Sequence, residues 1–136
     1  MAETLELEIV TPERLVVRER VEEVQIPGRS GYLGVLPGHA PLITELGVGE
    51  ITFRSGHNTT RLAVAWGFAE VLSDKVTILA EASERASEID VPRAQQAKER
   101  AEEILRTPDP DTDYAEVQNA LKRAETRIGV AEKNGR

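Results

Sequence analysis

"EIDVPRA", residues 88–94, marks the place where one pattern of side chains gives way to another. Asp90 is a good helix N-cap, and Pro92 falls in the first turn, where its missing N–H costs nothing. A capping box would place Glu or Gln at the third helical position, yet this chain places Arg93 there. A cation in the first turn opposes the helix dipole by roughly 0.3–1 kcal/mol. The stretch therefore predicts a helix start that gives up some stability, and it sets the question of what the arginine is for.

Upstream of it the period is two. In "LELEI", residues 5–9, Leu5, Leu7 and Ile9 fall on one face and Glu6 and Glu8 on the other, as in a half-buried strand. "LVVRERVEEVQI", "GEITFRSG", "TTRLAVAWG", "FAEVLS" and "KVTILAE" follow, separated by "PGRSG", "LPGHAP", "GVG", "SGHN" and "LSDK". Many short strands with regular turns point to an antiparallel sandwich or flattened barrel. Trp66 and Phe68 flank Gly67, which reads as sheet core at a tight bend.

Downstream the period becomes helical. Val91, Ala94, Ala97, Ala101, Ile104 and Leu105 form one stripe, and "TPDPDTD" then interrupts the chain, with Asp111, Thr112 or Asp113 placed to cap the next helix. Residues 114–133 carry Val117, Leu121, Ala124, Ile128 and Ala131. Two helices joined by a short turn make an antiparallel hairpin. Its first helix offers mostly alanines, and a buried methyl group contributes about 0.8 kcal/mol against about 1.5–3 for a leucine. The hairpin is thus expected to undock at a cost of a few kcal/mol.

The 136 residues are 40% hydrophobic, enough for one cored domain with a small appendage. The absence of cysteine excludes disulfides, thiolate metal sites and cysteine nucleophiles, and fits a reducing compartment. No apolar run approaches the roughly 18 residues of a membrane span, and the acidic "MAETLELEIV" argues against a signal peptide. Residues 1–88 hold 8 Lys/Arg against 14 Asp/Glu, whereas residues 89–136 hold 9 against 10. An acidic chain whose basic end lacks interleaved aromatics is a poor nucleic-acid binder. That basic end reads as a solvated helix tail or as a contact for an acidic protein.

Enzyme motifs are scarce. There is no phosphate loop ending in Gly-Lys-Ser/Thr, no paired histidines with a glutamate on a helix, and no Gly-x-Ser-x-Gly. His39 and His57 lie in turn-like sequence and read as structural or solvated. "GRSGYLGVLPGHAP" reads as turns and bulges, with no helix N-terminus after it to cradle phosphate. The arginines are more informative. Arg93 and Arg100 are seven apart and share a helix face. Arg123 and Arg127 are four apart, where like charges cost roughly 0.2–0.5 kcal/mol. A hairpin is able to bring all four to one side, an unfavourable cluster unless an anion such as phosphate sits among them. The alternative is neutralisation by Glu99, Glu102, Glu103 and Glu125.

"IPGRSGYLGVLPGHAPLITELGVGEI", "AWGFAEVLSDKVTILAE" and "IDVPRA…AKERAE…DYAEVQNALKRAETRIGVAE" together resemble the epsilon subunits of bacterial F-type ATP synthases, from about residue 3 to the C-terminus. The resemblance implies an α+β fold: an N-terminal antiparallel ten-stranded β-sandwich over residues 1–86 and a C-terminal two-helix antiparallel hairpin over residues 87–136. It implies a non-catalytic subunit of the central stalk, peripheral on the cytoplasmic face of the bacterial inner membrane, without membrane insertion and without a required cofactor. The sandwich would bind the gamma subunit and the membrane rotor c-ring, the latter through Gly31, Tyr32 and Leu33 with nearby His39. The subunit would couple rotor rotation to ATP synthesis and proton transport. The hairpin would fold against the sandwich or extend along gamma, blocking ATP hydrolysis. Extended, its Lys122, Arg123, Arg127 and Lys133 would meet an acidic loop of the catalytic alpha and beta subunits. The I-D-x-x-R-A motif at residues 89–94 implies ATP as a regulatory ligand of the folded hairpin, held by Glu84, Asp90, Arg93, Ala94, Arg100, Arg123 and Arg127. Other readings are a stand-alone ATP-sensing module outside any motor and a small enzyme using His39.

Overall fold

The computed structural model describes residues 3–133; the outer limits of the two expected domains, residues 1–2 and 134–136, lie outside the described residues. Seven strands precede a short 3-10 turn and two helices. The strands are β1 (Leu5–Val10), β2 (Leu15–Val21), β3 (Glu23–Gly28), β4 (Gly31–Val35), β5 (Leu42–Ser55), β6 (Asn58–Val71) and β7 (Lys75–Arg85). Ala86–Glu88 form the 3-10 turn, followed by α1 (Val91–Arg106) and α2 (Tyr114–Glu132). The strands make one sheet in the order β2-β1-β7-β6-β5-β3-β4. All neighbours are antiparallel except β1 and β7, which pair in parallel from Glu6↔Lys75 to Val10↔Leu79. The chain reaches that parallel pairing only after five intervening strands.

The sheet curls so that its inner face closes on itself. Leu5, Leu7 and Ile9 of β1, Val24 and Ile26 of β3, Ile51 and Phe53 of β5, and Val76 and Ile78 of β7 share one core. Where β2 passes into β3 the chain also meets β5: Glu22 N–H donates to Arg54 O at 2.8 Å, and Ser55 Oγ donates to Arg20 O at 3.2 Å.

Seven strands stand where ten are expected, and the ladder explains the difference. Pairing of β5 with β6 passes from Leu46↔Gly67 to Val48↔Ala65, and pairing of β6 with β7 from Gly67↔Ala80 to Ala65↔Ala82. One residue on each strand is skipped at the same level: Gly47, Trp66 and Glu81. Three long strands are therefore bent along a common line rather than cut in two. Trp66 sits there at φ +56° and Gly67 at φ +123°, positive-φ backbone that interrupts the pleat without changing the register. "TTRLAVAWG" and "FAEVLS" thus form one bent strand, whereas "LVVRERVEEVQI" is broken at Glu22 into β2 and β3. The bend at Gly67 is as expected, but its aromatic flanks are not core: Phe68 is 53% exposed and Trp66 only partly buried. Part of "GRSGYLGVLPGHAP", read as turns, is strand β4.

Leu62 to Ala65 are buried without alternation because both faces of β6 are covered there. Leu62 and Val64 enter the sheet core, while Ala63 packs with Ala86, Ile89 and Val130 beneath α2. Helix α1 lies against α2, burying Ala94 and Ala101. The caps follow local rules. Arg93 N–H donates to Asp90 Oδ1 at 3.2 Å and Glu116 N–H donates to Asp113 Oδ1 at 3.2 Å.

The strand-to-helix connector is braced by polar groups. Glu88 Oε1 accepts from Arg14 Nη2 at 2.9 Å and from Arg85 N–H at 3.0 Å. The Arg14 guanidinium first, and the Arg85 amide second, hold the Glu88 carboxyl below its ordinary range.

Two consequences are testable. A Cβ on Gly67 would lie 2.0 Å from Leu79 O, so Gly67→Ala should cost at least about 3 kcal/mol in strain and overpacking. Gly34→Ala, with nothing within 4 Å, should be near neutral by urea denaturation. A lowered folded pKa stabilises above the unfolded glutamate value of about 4.3, and this contribution fades as pH falls through the folded value. A carbon-detected NMR titration should find Glu88 titrating below that value, and Arg14→Gln should move it back up.

Candidate functional site

The junction between sheet and hairpin contains a cleft of about 560 Å³, within the roughly 300–1,000 Å³ range of small-molecule pockets. Its formation follows from the topology. β1 leaves β7 after the Val10↔Leu79 pair, so the last residues of β7 have no β1 neighbour. The β1–β2 turn swings away and supplies Thr11, Glu13 and Arg14 as one wall. Ala82, Ser83 and Glu84 of β7 form the second, and the start of α1 with Arg127 of α2 forms the third.

Five of the residues expected to bind nucleotide meet here: Glu84, Asp90, Arg93, Ala94 and Arg127. Asp90 is occupied by capping, and Arg127 Nε donates to Glu84 Oε1 at 2.6 Å. The Arg93 guanidinium makes no hydrogen bond and no ion pair among the described residues, although its own N–H is satisfied by the cap. Ala94 and Ala97 give the α1 wall short side chains. Arg123 borders the neighbouring crevice lined by Ala82, Ser83, Glu84 and Arg127, and bonds Glu116 Oε1 at 3.1 Å. Arg100 is exposed and does not line the cleft.

Local charge balance accounts for only part of the arginine set. Arg123 is paired with an acid of its own helix, but that acid is Glu116, one turn beyond the spacings considered, and Glu99, Glu102, Glu103 and Glu125 pair with none of the four arginines among the described residues. Spacing on one helix does not reveal Glu84, 43 residues from Arg127. Glu84 entered only through the resemblance, and Arg14 and Ser83 were not anticipated at all. Ser83 is buried, and its Oγ has no hydrogen-bond partner. Arg14 stands in an ordinary turn, and its position in the cleft arises from the pairing of β1 with a strand about seventy residues later.

The residues expected to face the rotor ring are not gathered at one point. Gly31, Tyr32 and Leu33 open β4, whereas His39 lies beyond its other end, with Nδ1 2.6 Å from Ala40 O. Glu50 N–H donates to Tyr32 Oη at 3.0 Å, and the ring lies so close over Gly49 that a Cβ there would be 2.7 Å from the hydroxyl. Tyr32 shares a shallow pocket with Glu50, Arg61 and Lys133, where Lys133 Nζ donates to Glu50 Oε2 at 2.7 Å. The His39 end carries exposed apolar groups: Leu36, Leu42, Ile43 and Leu72. Lys122 is exposed. No group of acids and histidines able to hold a metal occurs among the described residues, and no helix there is long and apolar enough to cross a membrane.

Comparison with known proteins places this architecture. Residues 4–86 match the family "ATP synthase, Delta/Epsilon chain, beta-sandwich domain", and residues 87–132 match "ATP synthase, Delta/Epsilon chain, long alpha-helix domain". The chain is 65% identical over 111 residues to the ATP synthase epsilon chain of Koribacter versatilis, covering 82% of this chain and 78% of that one. It is 51% identical over 133 residues to the ATP synthase epsilon chain of Solibacter usitatus, covering 98% and 99%. A chain of the Euglena gracilis mitochondrial ATP synthase has a similar fold, with a TM-score of 0.79 and 24% identity over 90% of this chain and 78% of that one. With its strands and helices matched in turn and its full length aligned to such relatives, the chain belongs to the epsilon chains of ATP synthase, a non-catalytic subunit.

Proposed function

We propose that this epsilon chain works as a ligand-sensing part of the central stalk, with units at residues 1–86 and 87–136 moving against each other. The observation that carries the sensing role is Arg93. Its guanidinium is unpaired among the described residues and stands at a cleft that also holds Asp90, Ala94, Glu84 and Arg127. A cation that opposes the helix dipole and pairs with no acid is accounted for by an anion. ATP is the regulatory ligand in this reading. Arg93 and Arg127 meet its phosphates, while Arg100 and Arg123 lie on the same two helices and complete the basic surface. No cofactor is required.

The hairpin is held by a few small apolar contacts, Ala63, Ala86, Ile89 and Val130, and by ion pairs of Arg127 and Lys133 to the sheet. A ligand at 100 times its dissociation constant stabilises the state that binds it by about 2.7 kcal/mol, comparable with such a hold. ATP therefore favours the folded hairpin, and its depletion releases the hairpin to extend along gamma and block ATP hydrolysis. Extension frees Arg127 and Lys133 from Glu84 and Glu50. With Lys122 and Arg123 they then meet an acidic loop of the catalytic alpha and beta subunits, one set of carboxylates replacing another.

The sandwich couples rotor rotation to ATP synthesis by binding gamma and the c-ring. The exposed apolar end around His39, with Leu36, Leu42 and Ile43, supports a ring-facing role there, while Gly31 and Tyr32, at the opposite end of β4, are a separate part of the proposed ring contact with Leu33. In this reading the subunit sits peripherally on the cytoplasmic face of the bacterial inner membrane. A titration of the isolated chain with ATP tests the sensing role. Saturable binding is expected, weakened tenfold or more by Arg93→Ala and by Arg127→Ala. Equal binding by all three proteins would remove the site.

A further inference from the structure

All the arginines assigned above to the nucleotide, Arg93, Arg100, Arg123 and Arg127, lie on α1 or α2. They move with the hairpin. A ligand shifts a conformational equilibrium only through interactions that differ between the two states, so a ligand held by these four alone has little reason to prefer the docked hairpin. Glu84, the one sheet residue assigned to the nucleotide, is an acid paired with Arg127, so a phosphate contact that differs between the states calls for a cation on the sheet side of the cleft. That side offers Thr11, Glu13, Arg14, Ala82, Ser83 and Glu84, and its one cation is Arg14.

Resting on the ATP reading, we infer that Arg14, in the turn between β1 and β2, is the sandwich's phosphate-binding residue and the contact that couples ATP binding to closure of the hairpin. A guanidinium has five N–H donors in a planar fork. Arg14 spends one nitrogen, Nη2, on Glu88, and its Nε and Nη1 have no partner among the described residues. It is about half exposed, so the side chain is not packed in place and can turn to a phosphate while the backbone of the turn stays put. The turn itself is fixed, since Thr11 N–H donates to Arg14 O at 3.0 Å and Arg14 N–H donates to Thr11 Oγ1 at 3.3 Å. Ser83, on the adjoining β7 wall, adds a hydroxyl without a hydrogen-bond partner. A phosphate between Arg14 and Arg93 ties the sandwich to the first turn of α1, next to the connector about which the hairpin moves. Glu88 is then a resident competitor, holding Arg14 until the phosphate arrives.

The test is calorimetric titration of the full chain with ATP and with adenosine, for wild type, Arg14→Gln, Arg14→Lys, Glu88→Gln and Arg93→Ala. Arg14→Gln should weaken ATP about tenfold or more, as expected for loss of a charged hydrogen bond, and leave adenosine unchanged. Arg14→Lys should recover part of the loss, and Glu88→Gln should bind ATP as well as wild type or better. If Arg14→Gln stays within twofold of wild type while Arg93→Ala loses ATP, Arg14 is no phosphate contact and the ATP reading stands. If Glu88→Gln weakens ATP as much as Arg14→Gln, the pair is only a structural brace and the inference is overturned. If wild type binds no ATP, the underlying reading has failed and the inference falls with it.

Discussion

Three strands of the sheet bend along one line, at Gly47, Trp66 and Glu81, and much of the molecule depends on that bend. It allows β5, β6 and β7 to run 14, 14 and 11 residues, far beyond an ordinary strand, without flattening the sheet. A sheet so bent closes on itself and buries Leu5, Ile26, Phe53 and Ile78 in one core. The approach of Gly67 to Leu79 O leaves no room for a side chain. Beyond this line β7 runs on past β1, and the stretch left without a β1 neighbour becomes one wall of the cleft. The site therefore follows from a constraint on backbone packing, not from any special local motif.

The hairpin is attached differently from the way the sandwich is held. Within the sandwich, stability comes from large side chains removed wholly from water. Beneath α2 the buried cluster is limited to Ala63, Ala86, Ile89 and Val130, and two ion pairs join the helix to the sheet. Partly exposed ion pairs typically contribute at most about 1 kcal/mol each. Arg127 to Glu84 and Lys133 to Glu50 thus define where α2 sits more than how firmly it sits. A few kcal/mol of ligand binding is comparable with such an attachment, whereas it would be negligible against the sandwich core.

Local patterns carried a large part of this fold. The switch in period at Val91, the cap at Asp90 and the second cap at Asp113 depend on neighbours within four residues, and the helices begin where those signals stand. The strand pattern of Leu5, Leu7 and Ile9 was equally local. Strand continuity was not. Gly67 interrupts the alternation in "AWGFAE" as a turn would, and only the paired strands on either side show that the chain continues through it. The same holds for β4, whose glycines resemble loop sequence until Val24 and Ile26 pair with Val35 and Leu33. Within the cleft, Arg93 was legible from its place at a helix start, whereas Asp90 and Ala94 were assigned to the site only through the resemblance. Arg100 belonged to the same helical face, but a stripe seven residues long extends past the end of the cleft.

The amino-acid sequence by itself determined the two kinds of structure, the point where one replaces the other, and the placing of a cation in the first turn of α1 against the helix dipole. Those are consequences of side-chain period and backbone hydrogen bonding within a few residues. Only the tertiary structure decided that Glu84 would hold Arg127, that Lys133 would reach Glu50 across 83 positions, and that Arg14 and Arg93 would line a common cleft. Such pairings depend on the parallel joining of β1 to β7 and on the bend that frees the end of β7. No local preference encodes them, because their energy exists only once the distant strands have come together.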